Sequence, residues 1–406
     1  MARALAPAIP EIAAAPTARA TSLNALTTSE AMPPASKFPW DQSRLVAAAS
    51  ARRLQLGDRT ALFCARRQQL YELNEAADAI WLALASEGSP EGAARALGGG
   101  EADAEVLGYV RQAAAGWLSG GQLYPAEILE LINGAPTEEL TVGLDELQVA
   151  IRTYGDADPL AVLAVFGQFS TRAAASESIS IVGAGGLIFM FADGQPLGAF
   201  NERTWIPELK ARLTGRYTQA VDGAFLTHGA LLSREGRGLI LCGDPGAGKT
   251  TLTIGLTQAG FRYHGDDIVR IDETGKAMGA PFSPAVKRGS WALLGDRVPE
   301  LQKLPVYLRS DGQEVRYLPV AASPREPIAV AAVLLLARQP DAQARVEPIE
   351  PLQAITEILG AAYSARGAID GRTLESLVAA VNKARLGRLC YSGLDEAVGV
   401  VSEFTR

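Results

Sequence analysis

The stretch from Gly238 to Ala259 constrains the fold more than any other part of the chain. Gly238-Leu-Ile-Leu-Cys242 is a short apolar run, the pattern of a buried strand. Gly243-Asp-Pro-Gly-Ala-Gly-Lys-Thr250 follows and satisfies G-x-x-x-x-G-K-[ST] at every fixed position. Thr251–Ala259 then has helical spacing, with Leu252, Gly255 and Leu256 placed to pack back on the strand. A strand that enters a helix through a glycine loop implies a sheet with helices laid on it, an α/β domain. Glycines 243, 246 and 248 let the backbone turn its amides toward one anion. The first helical turn adds unpaired N–H groups and a partial positive charge. Lys249 supplies a cation for the outer phosphates, and Thr250 a hydroxyl suited to magnesium. The expected ligand is a nucleoside triphosphate, ATP, with Mg2+, gripped by Gly243, Asp244, Pro245, Gly246, Ala247, Gly248, Lys249, Thr250 and Thr251.

Asp266-Asp267 lies 16 residues beyond Thr250, after one helix and a turn, just before the strand-like Ile268–Ile271. The chain is then returning to the sheet edge that carries the glycine loop. Two carboxylates there divide labour: one holds magnesium, the other takes the proton of an attacking hydroxyl. His228, in Leu226–Leu232 upstream of the loop strand, is a further candidate beside the transferring phosphate; an equally weighted reading makes it structural. Gly183-Ala-Gly-Gly186 sits between two strand patterns, so it reads as a hairpin turn rather than a dinucleotide loop.

Composition narrows the class. The 406 residues predict two or three domains, and 48% apolar with 20% charged residues is ordinary globular usage. A net charge of −7, without a Lys/Arg-rich run, argues against a nucleic-acid partner. Cys64, Cys242 and Cys390 are dispersed and read as free thiols in a reducing cytoplasm. Ile328–Ala337, the densest apolar run, is too short to span a bilayer and reads as a buried strand, so no membrane association is expected.

Residues 1–42 are rich in Ala, Pro, Ser and Thr and read as a disordered tail, with order beginning near Phe38–Trp40. Residues 43–125 read as a small α+β unit. Short strands at Leu54–Leu56, Ala61–Cys64 and Gln69–Leu73 precede helices capped by Asn74, opened by Ser89-Pro90, and running over Asp103–Ser119. Residues 126–159 read as a connector. Residues 160–406 read as the loop-bearing domain, with strands at Leu160–Phe166, Ser178–Val182 and Leu187–Phe191 and a helix at Trp205–Tyr217.

Two family resemblances follow. Leu70-Tyr-Glu-Leu-Asn-Glu-Ala-Ala-Asp-Ala-Ile-Trp81 resembles the PqqD family. That implies a winged-helix fold that recognises the leader of a ribosomally made peptide precursor, paired as an added strand on a sheet edge. The order His228, Gly243–Thr250, Gly265-Asp266-Asp267 resembles the HPr kinase/phosphorylase family, whose core is shared with phosphoenolpyruvate carboxykinases. The tail Arg388–Ala397 looks like its HPr-kinase-related branch. This implies a mixed sheet with helices, Lys249 on the phosphates, Thr250 and Asp267 at the metal, and Asp266 as base, with the two aspartates open to exchange. Where that family carries a magnesium-binding Glu before Arg-Gly, this chain has Ser283-Pro-Ala-Val-Lys-Arg-Gly-Ser290 without a Glu, so Lys287 and Arg288 are expected either to hold phosphate charge instead or to form a surface basic pair. Together the resemblances imply an ATP-dependent kinase for a serine or other hydroxyl of a leader-bearing peptide. The alternatives are a kinase for an HPr-like protein or a small molecule, and a non-catalytic ATP-binding module. Kinases of this kind often assemble as homo-oligomers.

Overall fold

The computed structural model describes residues 20–22, 39–41, 43–65, 69–321, 325–363 and 369–406. The expected tail, apart from residues 20–22 and 39–41, therefore lies outside the described residues. The chain divides into two compact units. One comprises Met1–Gly134 with Phe189–Ala199, the other Ala135–Ile188 with Phe200–Arg406.

The first unit is built on a four-stranded sheet in the order Ala20–Ser22, Gln69–Leu73, Arg59–Cys64, Ala51–Leu56. The last two strands form an antiparallel hairpin whose turn uses Gly57 at φ 66°. Asn74 ends the sheet and starts a helix: its side chain accepts from the Ala77 amide, and Glu75–Glu87 follows. That helix buries Ala77, Ile80, Trp81 and Leu84, the stripe expected from the sequence, and stops at left-handed Gly88. Ser89 and Asp103 cap the helices Pro90–Leu97 and Ala104–Ser119 in the same way. Trp81 and Trp117 meet edge to face with ring centres 5.0 Å apart. Ala20–Ser22 pairs parallel with Gln69–Leu73, placing Ala20 beside Leu70 and Ser22 beside Glu72.

The second unit is a helix–sheet–helix sandwich. Its main sheet runs in the order Arg262–Gly265, Gly229–Arg234, Arg237–Cys242, Ile328–Arg338, Lys276–Gly279, Val269–Ile271, Phe225–Thr227, Ala362–Tyr363. Ile328–Arg338 is long enough to branch. Its first residues pair with Lys276–Gly279, and the remainder pairs parallel with Arg385–Tyr391. Arg237–Cys242 also lies parallel to it, so three neighbouring strands end at one edge. On one face Leu239, Leu241, Leu334, Leu336 and Leu389 pack against Leu252 and Leu256 of the helix Lys249–Gln258 and Ala397 of Leu394–Phe404. On the other, Ile240, Val333 and Leu335 pack against Ile358 of Pro351–Gly360 and Leu377 of Gly371–Val381. The sheet is buried on both sides, which explains the unbroken apolar run Ile328–Ala337. No helix among the described residues is long and apolar enough to cross a membrane.

Two expectations differ from the structure. Leu160–Phe166 is not a strand but part of the helix Pro159–Phe166. Asp158 accepts from the Leu160 amide and Pro159 occupies the first turn, a start signal that the apolar run obscured. Residues 126–159 carry a helix, Ala126–Asn133, and an antiparallel strand pair, Glu138–Leu144 with Leu147–Gly155, turned by Asp145 at φ 58°. Gly183–Gly186 does form the turn of a hairpin, between Glu177–Ala184 and Leu187–Ala192, with Gly185 and Gly186 both at positive φ.

Trp117 is 1% exposed. Trp117→Ala removes one ring of the pair and leaves a cavity, and is expected to cost about 3–5 kcal/mol. Denaturant unfolding followed by Trp fluorescence checks this; a midpoint unchanged from the parent contradicts the packing described.

Candidate active site

Strand direction gathers the candidate residues. Because Gly229–Arg234 is antiparallel to the loop strand, its first residue lies opposite Cys242, and His228 arrives beside the glycine loop. Arg262–Gly265 is antiparallel in turn to Gly229–Arg234, so it delivers Asp266 and Asp267 to the same edge. Gly265 and Gly279 approach so closely that a Cβ on Gly265 would lie 2.7 Å from Gly279 backbone atoms. Glycine is therefore required before the aspartate pair. Asp267 itself adopts φ 76°, a left-handed turn that Asp tolerates better than most residues.

The loop follows the geometry its sequence implies. Gly243 and Gly248 have φ 154° and 90°. A Cβ on Gly248 would meet the Tyr391 hydroxyl at 2.5 Å. That hydroxyl donates to the Ala247 carbonyl at 2.6 Å, so Tyr391, at the end of Arg385–Tyr391, braces the loop from below. No side chain caps the helix Lys249–Gln258, which leaves its first amides open to an anion. Lys249 is 7% exposed, and its Nζ donates to the Gly243 and Asp244 carbonyls at 2.5 and 3.3 Å. Thr251 exchanges a 2.7 Å hydrogen bond with Ser290, tying the first turn to the Arg288–Ser290 segment. The Arg288 side chain is 74% exposed and paired with Glu314.

The aspartates are unequal. Thr250 Oγ1 donates to Asp266 Oδ2 at 2.7 Å. Asp266 is 2% exposed; burial first, then the neighbouring Asp267 charge, push its carboxyl above the usual range, against the Thr250 hydrogen bond. Asp267 is ion-paired with Lys210 and its side chain is 27% exposed. Burial alone would raise it, but the Lys210 charge and hydrogen bond, with His228, outweigh burial and hold it below the usual range. His228 Nδ1 donates to the Asp267 carbonyl at 2.8 Å and lies 3.3 Å from the Tyr363 hydroxyl. Burial lowers the imidazole pKa, with Lys249 adding to the effect, against the Asp267 charge and hydrogen bond.

His228, the glycine loop, Thr250, Asp266 and Asp267 are thus brought to one edge, while the Arg288 guanidinium is engaged by Glu314. Sequence reasoning missed Lys210, Tyr363 and Tyr391. Lys210 stands within the stripe Ile206, Leu209, Leu213 and Tyr217 of the helix Trp205–Ala220 and is 7% exposed. A lysine inside an apolar stripe was the available signal. Its ammonium lies 5.6 Å from the Phe282 ring centre and 5.9 Å from that of Tyr317.

A cavity of about 1280 Å³ opens along this edge, lined among others by His228, Gly243–Ala247 of the loop, Arg338, Tyr363 and Ser392. Its size admits a nucleotide. Thr250 and Asp266 offer two hard oxygen donors side by side, the chemistry that magnesium accepts when phosphate and water complete its shell. Among the described residues there is no cluster of three or more His, Cys, Asp or Glu of the kind that holds a metal unaided.

No family model matches the chain, and no curated protein matches it. Among solved structures, the Hpr(Ser) kinase/phosphatase from Coxiella burnetii aligns over 44% of this chain and 95% of that one, at 11% identity and a TM-score of 0.20. A likeness of that size carries no argument about fold or activity.

The raised Asp266 pKa has a consequence for stability. A folded state that holds this proton more tightly than the unfolded chain is favoured at low pH, and that advantage is lost as pH rises through the interval between the two values. Asp266→Asn keeps an oxygen for Thr250 without the charge. It is expected to melt about 2–4 °C above the parent at neutral pH, the shift that ~1 kcal/mol produces in a domain of this size. The gap should close as pH falls to the ordinary carboxylate range. A melting difference independent of pH contradicts the assignment.

Proposed function

We propose that the chain is an ATP- and magnesium-dependent kinase that phosphorylates a serine, or another hydroxyl, of a ribosomally made precursor peptide held by its leader. The observation that carries the kinase reading is the 2.7 Å bond between Thr250 and Asp266, which joins a complete phosphate loop to an acidic pair. In this reading the amides of Gly243–Thr251 and Lys249 hold the phosphate chain. Thr250 and Asp266 hold the metal, an exchange of the aspartate roles implied by the family resemblance. Magnesium bound there offsets charge on the outer phosphates. Arg288 is left outside the phosphate contacts.

Asp267, the more exposed carboxylate, faces the acceptor. The acceptor hydroxyl gives its proton to Asp267 as its oxygen bonds to the γ-phosphorus. The bond from that phosphorus to the bridging oxygen breaks, and ADP leaves with the electron pair. Lys210 keeps Asp267 ionised before transfer and balances charge beside it. His228 fixes the Asp267 backbone through its carbonyl.

The peptide half of the reading rests on the Leu70–Trp81 resemblance and on one property of the first unit. The outer edge of Gln69–Leu73 accepts an extended segment in parallel, here Ala20–Ser22. Backbone pairing along such an edge supplies affinity with little demand on side chains. A leader held there raises the local concentration of its own acceptor, so a weak contact at the acceptor suffices.

Labelled ATP and a leader-bearing precursor test both halves. Lys249→Ala is expected to reduce labelling at least 100-fold, and excess detached leader to slow labelling of the intact precursor without weakening ATP binding. Full labelling by Lys249→Ala refutes the kinase reading. Indifference to detached leader refutes leader recognition and leaves the kinase reading standing.

A further inference from the structure

The edge that carries the glycine loop continues past it, and this continuation has no role in the chemistry above. In order along the edge come Asp266 and Asp267 after Arg262–Gly265, His228 before Gly229–Arg234, and the loop after Arg237–Cys242. Arg338 follows at the end of Ile328–Arg338, then Tyr391 and Ser392 at the end of Arg385–Tyr391. In open sheets, ligands bind beyond the carboxyl ends of parallel strands, and the last three of these strands are parallel. Thr250 and Asp266 draw the outer phosphate toward the aspartate side. The inner phosphate and the nucleoside must then run the other way, over Arg338 and Ser392.

Arg338 suits that position. Ala332, Leu334 and Leu336 face the loop helix, and strand alternation sets Arg338 on the same face. Leu336 lines the base of the loop, 3.1 Å from where a Cβ on Gly243 would lie. Arg338 is registered beside Tyr391, whose hydroxyl holds the Ala247 carbonyl. The turn after it is held down, since the Gln339 amide donates to the Tyr391 carbonyl at 2.9 Å and Ser392 Oγ to the Ala342 carbonyl at 3.0 Å. Arg338 lines the cavity, is exposed, and forms no ion pair among the described residues. The other arginine of this cavity, Arg388, is engaged by Glu357 at 2.5 Å.

We infer that Arg338 is a nucleotide-binding residue that contacts the inner, α-phosphate end of the bound nucleotide. This rests on the nucleotide reading above and extends it to the part of the ligand that does not react. An arginine there serves ATP and ADP alike, because both carry the α-phosphate.

Titration calorimetry of the full chain with ATP and with ADP, each with magnesium, tests it. Arg338→Ala is expected to weaken both nucleotides about tenfold, the effect of losing one charge-assisted hydrogen bond. Arg338→Lys should fall between parent and Ala, and an unchanged melting temperature in the Lys variant shows that the fold is intact. If Lys249→Ala weakens binding and Arg338→Ala does not, the inference is overturned while the nucleotide reading stands. Weakening of ATP with ADP unaffected also overturns it, because Arg338 would then touch the outer phosphate. Unaltered binding in Lys249→Ala as well removes the nucleotide reading and this inference with it.

Discussion

The hydrogen bond between Thr250 and Asp266 is the contact on which the functional account depends. It joins two loops that are 16 residues apart in sequence and that leave different strands. It forms only because Arg237–Cys242 and Arg262–Gly265 both finish at one sheet edge, with Gly229–Arg234 between them. The glycines around it have steric reasons. Gly248 leaves room for the Tyr391 hydroxyl, and Gly265 leaves room for Gly279. A buried carboxylate beside a second carboxylate is unfavourable when ionised, and in the proposed reading a dication shared with Thr250 would relieve that cost. On that reading, stability and chemistry are therefore opposed at Asp266.

Around this contact the charges are graded. Asp266 is buried, and the Thr250 hydrogen bond, the Lys210 charge and the Asp267 backbone only partly offset that burial, whereas Asp267 pairs directly with Lys210 and keeps some exposure. His228 engages the Asp267 backbone rather than its carboxylate, and burial lowers its pKa. In the proposed reading, this arrangement would separate a metal-holding group from a proton-accepting one within two consecutive residues. Left-handed backbone at Asp267 lets adjacent side chains serve different partners.

What was legible in the sequence was what is local in it. The glycine loop, its strand and helix, the caps Asn74, Ser89 and Asp103, and the stripe Ala77/Ile80/Trp81/Leu84 depend on neighbours in the chain, and each is found where its pattern places it. Lys210 was not legible as a site residue, because 57 residues and several strands separate it from Asp267. Tyr391 and Arg338 were hidden for the same reason: parallel pairing brings them to the loop, and pairing partners are not written in local spacing. Leu160–Phe166 was misread because a short apolar run has no period to distinguish strand from helix, and only Asp158-Pro159 marked its start. Glu138–Leu144 and Leu147–Gly155 escaped because their turn is Asp145-Glu146, without the glycine that usually announces a hairpin.

The central claim is that Thr250 and Asp266 jointly hold magnesium on a nucleotide. The most direct measurement is ATP affinity with magnesium and with a chelator, in the parent, Thr250→Val and Asp266→Asn. The account predicts that magnesium tightens ATP binding in the parent and loses most of that effect in either variant. A magnesium effect of equal size in all three proteins would contradict it.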